Sequence, residues 1–535
     1  MKNRFLLLLL LIVVNVCAQD PKLSEEFTVE VGEEYGETDG RLKEFYKYND
    51  YVIKLVNHKS YDLIIQKFDP VTLKEIERIE KVDFFKDVKK GRLLGVERLS
   101  DKLILLYRLW DKKAKTTSFR IRTIALGSLE ITDFKTIVIQ KGEVSRNSSY
   151  YKTSFDENKL LIVCKLKPQK NKSSKNIDIF SIHVFDENVN EIWSNNVKMP
   201  YTKTTSMNLR FSIDNEGSFY FLTRVYKDEK SKKKALFLNP ESTIELLKLK
   251  KDTDEFTISK IKMDGYFVYV PAIFQNPEGG VVVTGTLGKS FDVKKKESVL
   301  VPIGFFISKF TEEDTAGETN TYDFSDSILN KYKEDKRISK KAISKLGPYF
   351  KDMQITDMVF NEDGSTILLG EQKSQFSNNM SNPNIGIDIR YSSSFNDIYV
   401  AKILADGTLS WSKRLPKQQR VDNRGASEMS FKYVDLNTKH YLFYQDHIAN
   451  LNLDKEVSPG PLWDLTTGYL MAYTIDDVIG SVKKEAVFNL VDVNNGDKLE
   501  HFVTDNVLKI SDSEILIEGF EGSSKDFLVK VTTKK

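Results

Sequence analysis

A strand–turn–strand unit returns along the whole chain, and a sequence built that way has few folds open to it. The clearest copy lies at 354–416. An extended segment at 355–360 leads into the turn Asn361-Glu-Asp-Gly364 and then the apolar run Thr366-Ile-Leu-Leu369. A short apolar run between turn residues suits a strand covered on both faces. After a polar stretch come Asp397-Ile-Tyr-Val-Ala-Lys-Ile-Leu404, the turn Ala405-Asp-Gly407 and a last segment ending at Leu415. Asp-Gly between apolar segments is a hairpin signal, because glycine takes a positive φ without steric cost. Four strands in sequence make one small antiparallel sheet.

Weaker copies align with it. The first hairpin returns around Asp214-Asn-Glu-Gly217 and Asn276-Pro-Glu-Gly279, and the second at 180–193 and 63–76. First hairpins begin near Leu42, Leu93, Tyr151, Leu209, Phe267, Ile355, Met429 and Val507, a spacing longer than the roughly 40–45 residues of a WD40 repeat. A four-stranded sheet cannot bury both faces alone. Radial packing lets each sheet cover the next and leaves only short edges, so the pattern predicts an all-β fold: a β-propeller of seven or eight four-stranded blades, with eight preferred. The last repeat holds only three strands, and the segment at 26–31 is expected to supply the fourth and close the ring.

Two stretches break the rhythm. Residues 326–350 carry Ile328, Leu329, Tyr332, Ile338, Ala342, Ile343 and Leu346 at helical spacing amid Lys and Glu, which predicts a helical insertion capping a blade. Residues 374–396 are rich in Ser and Asn and read as a long polar loop, the kind of segment that carries function.

The N-terminus sets the expected address. Met1-Lys-Asn-Arg4, an apolar run at 5–14, and Val16 and Ala18 before Gln19 have the form of a signal peptide over 1–18. Residues 19–535 then form a single propeller domain, exported to the periplasm, outer surface or extracellular space. Val16 fits a lipobox poorly, which disfavours a lipid anchor on Cys17. Past the leader no apolar run reaches the roughly 20 residues of a membrane-spanning helix. Of the two cysteines, Cys17 falls in the leader and Cys164 sits in Leu160-Leu-Ile-Val-Cys164, a place for an inert core residue. With 80 Lys and Arg against 77 Asp and Glu, net charge gives no case for nucleic acid as a partner.

Motifs of catalysis are missing. There is no G-x-S-x-G, Walker A, H-E-x-x-H or paired C-x-x-C. His58, His183, His440, His447 and His501 are scattered, and His440 and His447 bracket one strand and cannot share a metal. Asp492-Val-Asn-Asn-Gly-Asp497 lacks EF-hand spacing and reads as a turn. The Asp214–Gly217 turn has one residue too many for the Asp-box of sialidase-type propellers. Lysine clusters at 165–172, 230–234 and 294–296 read as solvated loop tips. Trp110, Trp193, Trp411 and Trp463 are candidates for a carbohydrate platform, although Trp193 and Trp411 follow the same turn in two repeats, as blade-packing residues do. No catalytic, cofactor-binding or metal-ligating residue is assigned.

The stretch Asn396-Asp-Ile-Tyr-Val-Ala-Lys-Ile-Leu-Ala-Asp-Gly-Thr-Leu-Ser-Trp-Ser-Lys-Arg-Leu-Pro416 resembles a segment common in uncharacterised exported proteins of Bacteroidetes-type bacteria, which are similar to propeller or WD40-like proteins. The resemblance covers one repeat well and the rest loosely. It implies a fold and a cell-envelope address and brings no catalytic residue, and fold analogy gives no activity by itself. The expectation is a non-catalytic module that binds a protein or glycan at one propeller face. The competing expectation is a polysaccharide-active enzyme with carboxylates converging at the central channel. An outer-membrane β-barrel is disfavoured, because Lys402 falls among the apolar residues of its strand.

Overall fold

The computed structural model describes residues 23–534 except 37–39, 59–61, 87–90, 167–176, 236–241, 262, 264, 294–296, 312–317, 333–349, 383–385, 423–428, 455, 464–465, 494–497, 500–501 and 522–524. The leader, His501, two of the lysine clusters in whole or part, and most of the 492–497 turn lie outside the described residues.

Eight antiparallel sheets follow one another along the chain. Blades 1 to 7 span 40–81, 91–141, 149–202, 206–261, 267–323, 353–415 and 432–489. Blade 8 is built from Val507–Lys509, Glu514–Glu521 and Lys525–Thr533, and its outermost strand is Phe27–Val31, paired antiparallel to Lys525–Thr533. The N-terminus therefore closes the ring, as the three-strand deficit of the last repeat implied. First strands of successive blades touch one another from blade 2 to blade 6, and Val507–Lys509 of blade 8 touches Gly40–Tyr48 of blade 1. The first strand of each blade is thus the innermost, and these strands surround a central channel.

Burial is graded outward from this ring. Second strands are apolar on both faces because a neighbouring sheet covers each one: Lys439–Asp446 is buried at seven of its eight positions, and Leu160–Leu166 holds Cys164 at 0% exposure. Burial pushes the Cys164 thiol up to about 12, so it is inert. Outer strands alternate between buried and exposed, as Glu191–Thr202 does. Each of the eight junctions holds its own apolar cluster. Leu55 and Ile65 meet Leu105 between blades 1 and 2, Phe305 meets Tyr399 between blades 5 and 6, and Val52 and Phe68 meet Leu516 and Leu528 where the ring closes.

The turns explain the repeat. Gly217, Gly279 and Gly364 take φ of +84°, +102° and +78°, and each donates its N–H to the carbonyl of the Asp or Asn three residues earlier. Asp214 goes further, accepting from Ser218 N at 2.8 Å and from Tyr220 Oη at 2.8 Å. Its carboxylate is spent on the turn.

Two expectations are corrected. The 374–396 stretch is no loop: it belongs to Thr366–Asn382 and Gly386–Ile403, second and third strands of blade 6 that run past the sheet as a long hairpin. Backbone ladders form regardless of side-chain polarity, so a Ser- and Asn-rich sequence stays extended here. Gln419–Asp422 pairs with this hairpin at 392–395 and stiffens it. The lysine cluster at 230–234 lies in a helix, α1 (Glu229–Ala235), and Lys232 Nζ donates to Ser206 O at 2.5 Å. The 326–350 insertion opens with one helical turn, α2 (Asp326–Leu329), whose Ile328 is buried beside Phe324 and Phe350. Most of the rest of that insertion lies outside the described residues.

Candidate functional site

Antiparallel order divides the connections between two faces. Turns joining first to second and third to fourth strands lie on one face, and all other connections lie on the opposite one. The first face is sewn shut around the ring. Arg98 Nη1 donates to Lys47 O (blades 1 and 2), Ser100 N to Glu157 O (2 and 3), Trp193 Nε1 to Gly217 O (3 and 4), and Asn215 Nδ2 to Pro277 O (4 and 5). Tyr322 Oη donates to Gly407 O (5 and 6), Lys402 Nζ to Asp477 Oδ1 (6 and 7), Asn437 N to Asp512 O (7 and 8), and Lys530 Nζ to Val71 O (8 and 1). Gln275 Nε2 crosses two blades to reach Thr153 O at 2.7 Å and Ile213 O at 2.9 Å.

The opposite face carries long excursions, among them α1, the α2 insertion, the blade 6 hairpin, and the segments 416–431 and 447–468. The last three meet over blades 6 and 7. Phe395, Val421, Met429 and Leu462 form a small core there, separate from the eight junction clusters. Leu462 N donates to Gln418 O at 2.9 Å and Arg420 N to Leu462 O at 3.0 Å. Asn450 imitates a backbone partner for Gly460, donating from Nδ2 to its carbonyl at 2.8 Å and accepting from its N–H at 2.9 Å. The loop that ends in Trp463 is therefore pinned from two sides.

Trp463 is 55% exposed, with the Arg420 guanidinium 4.8 Å from its ring centroid. Beside it lies a cleft of about 210 Å³ lined by Lys351, Asp352, Gln372, Ser374, Ser394, Asn396 and Gln418. Trp193 and Trp411 are 9% and 7% exposed and donate to Gly217 O and Asp477 O. They pack blades, as their shared position after a turn indicated.

Beneath the cleft runs a buried ionic network. Lys417 and Glu371 form an ion pair at 2.7 Å with both side chains at 0% exposure. Lys417 Nζ also donates to Gln419 Oε1 at 2.8 Å and to Phe395 O at 3.1 Å. Burial pushes the Lys417 ammonium below its usual pKa, and the Glu371 carboxylate opposes the shift. Asp397 accepts from Arg414 Nε at 2.7 Å and from Tyr332 Oη at 2.9 Å, which ties the α2 insertion to the same floor.

The inner wall of the channel holds a second cluster. Burial lifts Glu97 to about 7, with Thr153 Oγ1 donating to it at 3.4 Å and Glu44 adding repulsion. Burial also raises Glu44, which accepts from Tyr46 Oη and feels Asp505, and it lowers Lys152 against the pull of Glu97. A cavity of about 480 Å³ opens on the wall near Asp357, Lys432 and Asp505.

Among the described residues the histidines do not converge. His183 contacts Ser181, Gln140 and Glu191. His440 contacts Asp477 and Tyr433, and His447 accepts from Ala449 N. Among the described residues no group of three His, Cys, Asp or Glu could hold a metal ion, and no helix is long and apolar enough to cross a membrane.

No protein-family model matches the chain, and no curated protein matches its sequence. Among solved structures, it is similar to the β-propeller domain of the Trilobed protease from Pyrococcus furiosus, at 11% identity over 86% of this chain and 98% of that one, with a TM-score of 0.32. It is also similar to the WD40 domain of SCAP from fission yeast, at 8% identity over 96% and 97%, with a TM-score of 0.34. A third is an uncharacterized protein from Listeria monocytogenes, at 10% identity over 80% and 91%, with a TM-score of 0.33. None of these likenesses carries a residue or an activity to this chain.

Proposed function

We propose that this protein is an exported, non-catalytic binding module, with a leader at 1–18 and one propeller domain over 19–535, that holds a protein or glycan partner on its insertion-bearing face. The observation that carries this reading is the pinned, exposed Trp463 on the face opposite the sewn one. A tryptophan buries 150–250 Å², so a partner that covered the open half would remove roughly 100 Å² from water. At 25 cal/mol/Å² that contributes about 2.5 kcal/mol, with little ordering cost because the loop is already held. The leader and the resemblance to exported propeller-like proteins support a cell-envelope address.

The test is capture of protein and polysaccharide from the organism's own envelope extract by three forms of the chain: unaltered, Trp463→Ala with Arg420→Glu, and Ile479→Glu on the sewn face. The expected result is a bound component lost with the first variant and retained with the second. Loss only with Ile479→Glu, or equal capture by all three, would overturn the assignment of the face.

One observation favours a second reading, a polysaccharide-active enzyme. Glu44 and Glu97 are raised carboxylates that interact electrostatically from neighbouring channel strands, and raised carboxyl pairs are the equipment of glycosidases. Release of reducing ends from an envelope polysaccharide, abolished in Glu97→Gln, would move the function to the channel.

A further inference from the structure

We infer that the cleft beside Trp463 binds a neutral, polyhydroxylated ligand, one sugar residue of an oligosaccharide, stacked on the indole and hydrogen-bonded from the opposite wall. This rests on the reading of the insertion-bearing face as the binding face and names the class of ligand it takes.

The argument begins with unspent hydrogen-bonding capacity. The side chains of Ser374, Ser394, Asn396 and Gln418 line the cleft and form no hydrogen bond with other described residues, while Gln372 turns its Nε2 to Lys351 O at 2.7 Å. Two hydroxyls and two amides offer donors and acceptors in mixed array, and the opposite charges of Lys351 and Asp352, which also line the cleft, lie 4.0 Å apart and offset one another. That set answers a hydroxyl, which donates and accepts at once. It would leave a phosphate or a carboxylate without a dedicated cation, since Lys351 is paired with Asp352 and the Arg420 guanidinium lies over the Trp463 ring.

The aromatic element supplies what amides cannot. A sugar ring has one face of C–H bonds, and an indole offers a flat apolar surface for it. Arg420 lies 4.8 Å from the ring centroid, and the 55% exposure of Trp463 provides indole surface for a ligand. The walls are rigid where the ligand would meet them. Ser374 and Ser394 are directly opposed across the antiparallel ladder of the blade 6 hairpin, and the strand that carries Ser394 is braced by Gln419–Asp422. The cleft, about 210 Å³, is a small concavity suited to part of an extended ligand rather than a broad seat for a folded epitope.

The experiment uses the purified protein and defined probes: cellohexaose, xylohexaose, maltohexaose, laminarihexaose, mannohexaose and chitohexaose, each titrated to about 5 mM by calorimetry, with iodide quenching of tryptophan fluorescence read in parallel. The expected result is saturable binding of at least one probe that shields the quenchable tryptophan. Affinity should fall at least ten-fold in Trp463→Ala and measurably in Asn396→Ala/Gln418→Ala, with circular dichroism unchanged in both. Absence of binding by all six probes, or binding indifferent to both variants, overturns the ligand class. If envelope capture still depends on Trp463 and Arg420 in that event, the binding face stands and its partner is a protein. If capture is indifferent as well, both readings fall.

Discussion

Lys417→Met tests whether the floor of the cleft is held by the buried ion pair. The substitution keeps the length of the side chain and removes the ammonium. Lys417 and Glu371 are both fully buried and 2.7 Å apart, and deleting one member of such a pair costs roughly 3–5 kcal/mol because the other charge stays buried. Glu371 retains Lys373 at 3.1 Å and Ser430 Oγ at 2.6 Å, which puts the expected loss at the low end, about 3 kcal/mol. Replacing both residues, Lys417→Met/Glu371→Met, removes the stranded charge and should recover about 2 kcal/mol of that loss. Equilibrium urea unfolding at pH 7, followed by tryptophan fluorescence, reads both numbers. Gln419 Oε1 takes a hydrogen bond from Lys417 and Gln419 borders the cleft, so the single variant should also weaken binding of whichever oligosaccharide the cleft takes. A single-variant loss below about 1 kcal/mol, or a double variant less stable than the single, would refute the reasoning.

Two further outcomes follow from the inner ring. Glu97 has a folded pKa of about 7, above the unfolded value of about 4.3. Folding therefore favours its protonated form, and its favourable contribution is complete below about pH 4.3 and lost as pH rises through 7. Glu97→Gln should accordingly gain stability over the unaltered protein at pH 8, on the order of 1–2 kcal/mol, and none at pH 4, as pH-dependent urea unfolding would read. At Gly95 an added Cβ would collide with Tyr151 Oη and lie 2.9 Å from its Cζ, while that hydroxyl is held by Leu94 O at 3.0 Å. Gly95→Ala should cost about 1–3 kcal/mol, with part of the loss recovered in Gly95→Ala/Tyr151→Phe, measured the same way.

Much of the fold was legible because the turns recur. Gly217, Gly279 and Gly364 mark first hairpins whose φ values only glycine takes easily, and the eight expected starting points fall at or near eight innermost strands. The closing role of the N-terminal strand could be argued from a deficit in the last repeat, since a three-stranded blade leaves an edge. The blade 6 hairpin was not legible: Ser392-Ser-Ser394 and Asn378-Asn-Met-Ser381 have turn-former composition, and the ladder between its two strands, braced at 392–395 by Gln419–Asp422, is a pairing that no local spacing announces. The candidate site was hidden for a related reason. Its residues come from separate segments between Lys351 and Trp463, joined only by folding, so no local spacing announces them. One signal was available. Trp463 follows Ser458-Pro-Gly-Pro-Leu462, a context that excludes a central strand, whereas Trp193 and Trp411 sit in strands that pack.

Ring closure is the premise on which the two unequal faces depend, and a designed cross-link measures it directly. Val29 faces Val531 across the closing pair. Lys534 N donates to Glu26 O and Gly32 N to Leu528 O, so the register makes Val29 and Val531 a non-hydrogen-bonded pair. Such pairs have Cα atoms about 4.5 Å apart, within the 4.4–6.8 Å span of a disulfide. In a Cys17→Ser background, Val29→Cys/Val531→Cys should oxidise within one chain to a faster-migrating species on a non-reducing gel and unfold at higher urea. Glu30→Cys/Val531→Cys, with side chains on opposite faces of the sheet, should not. Failure of the first pair to cross-link within the chain, or equal cross-linking of both pairs, would contradict the closed ring.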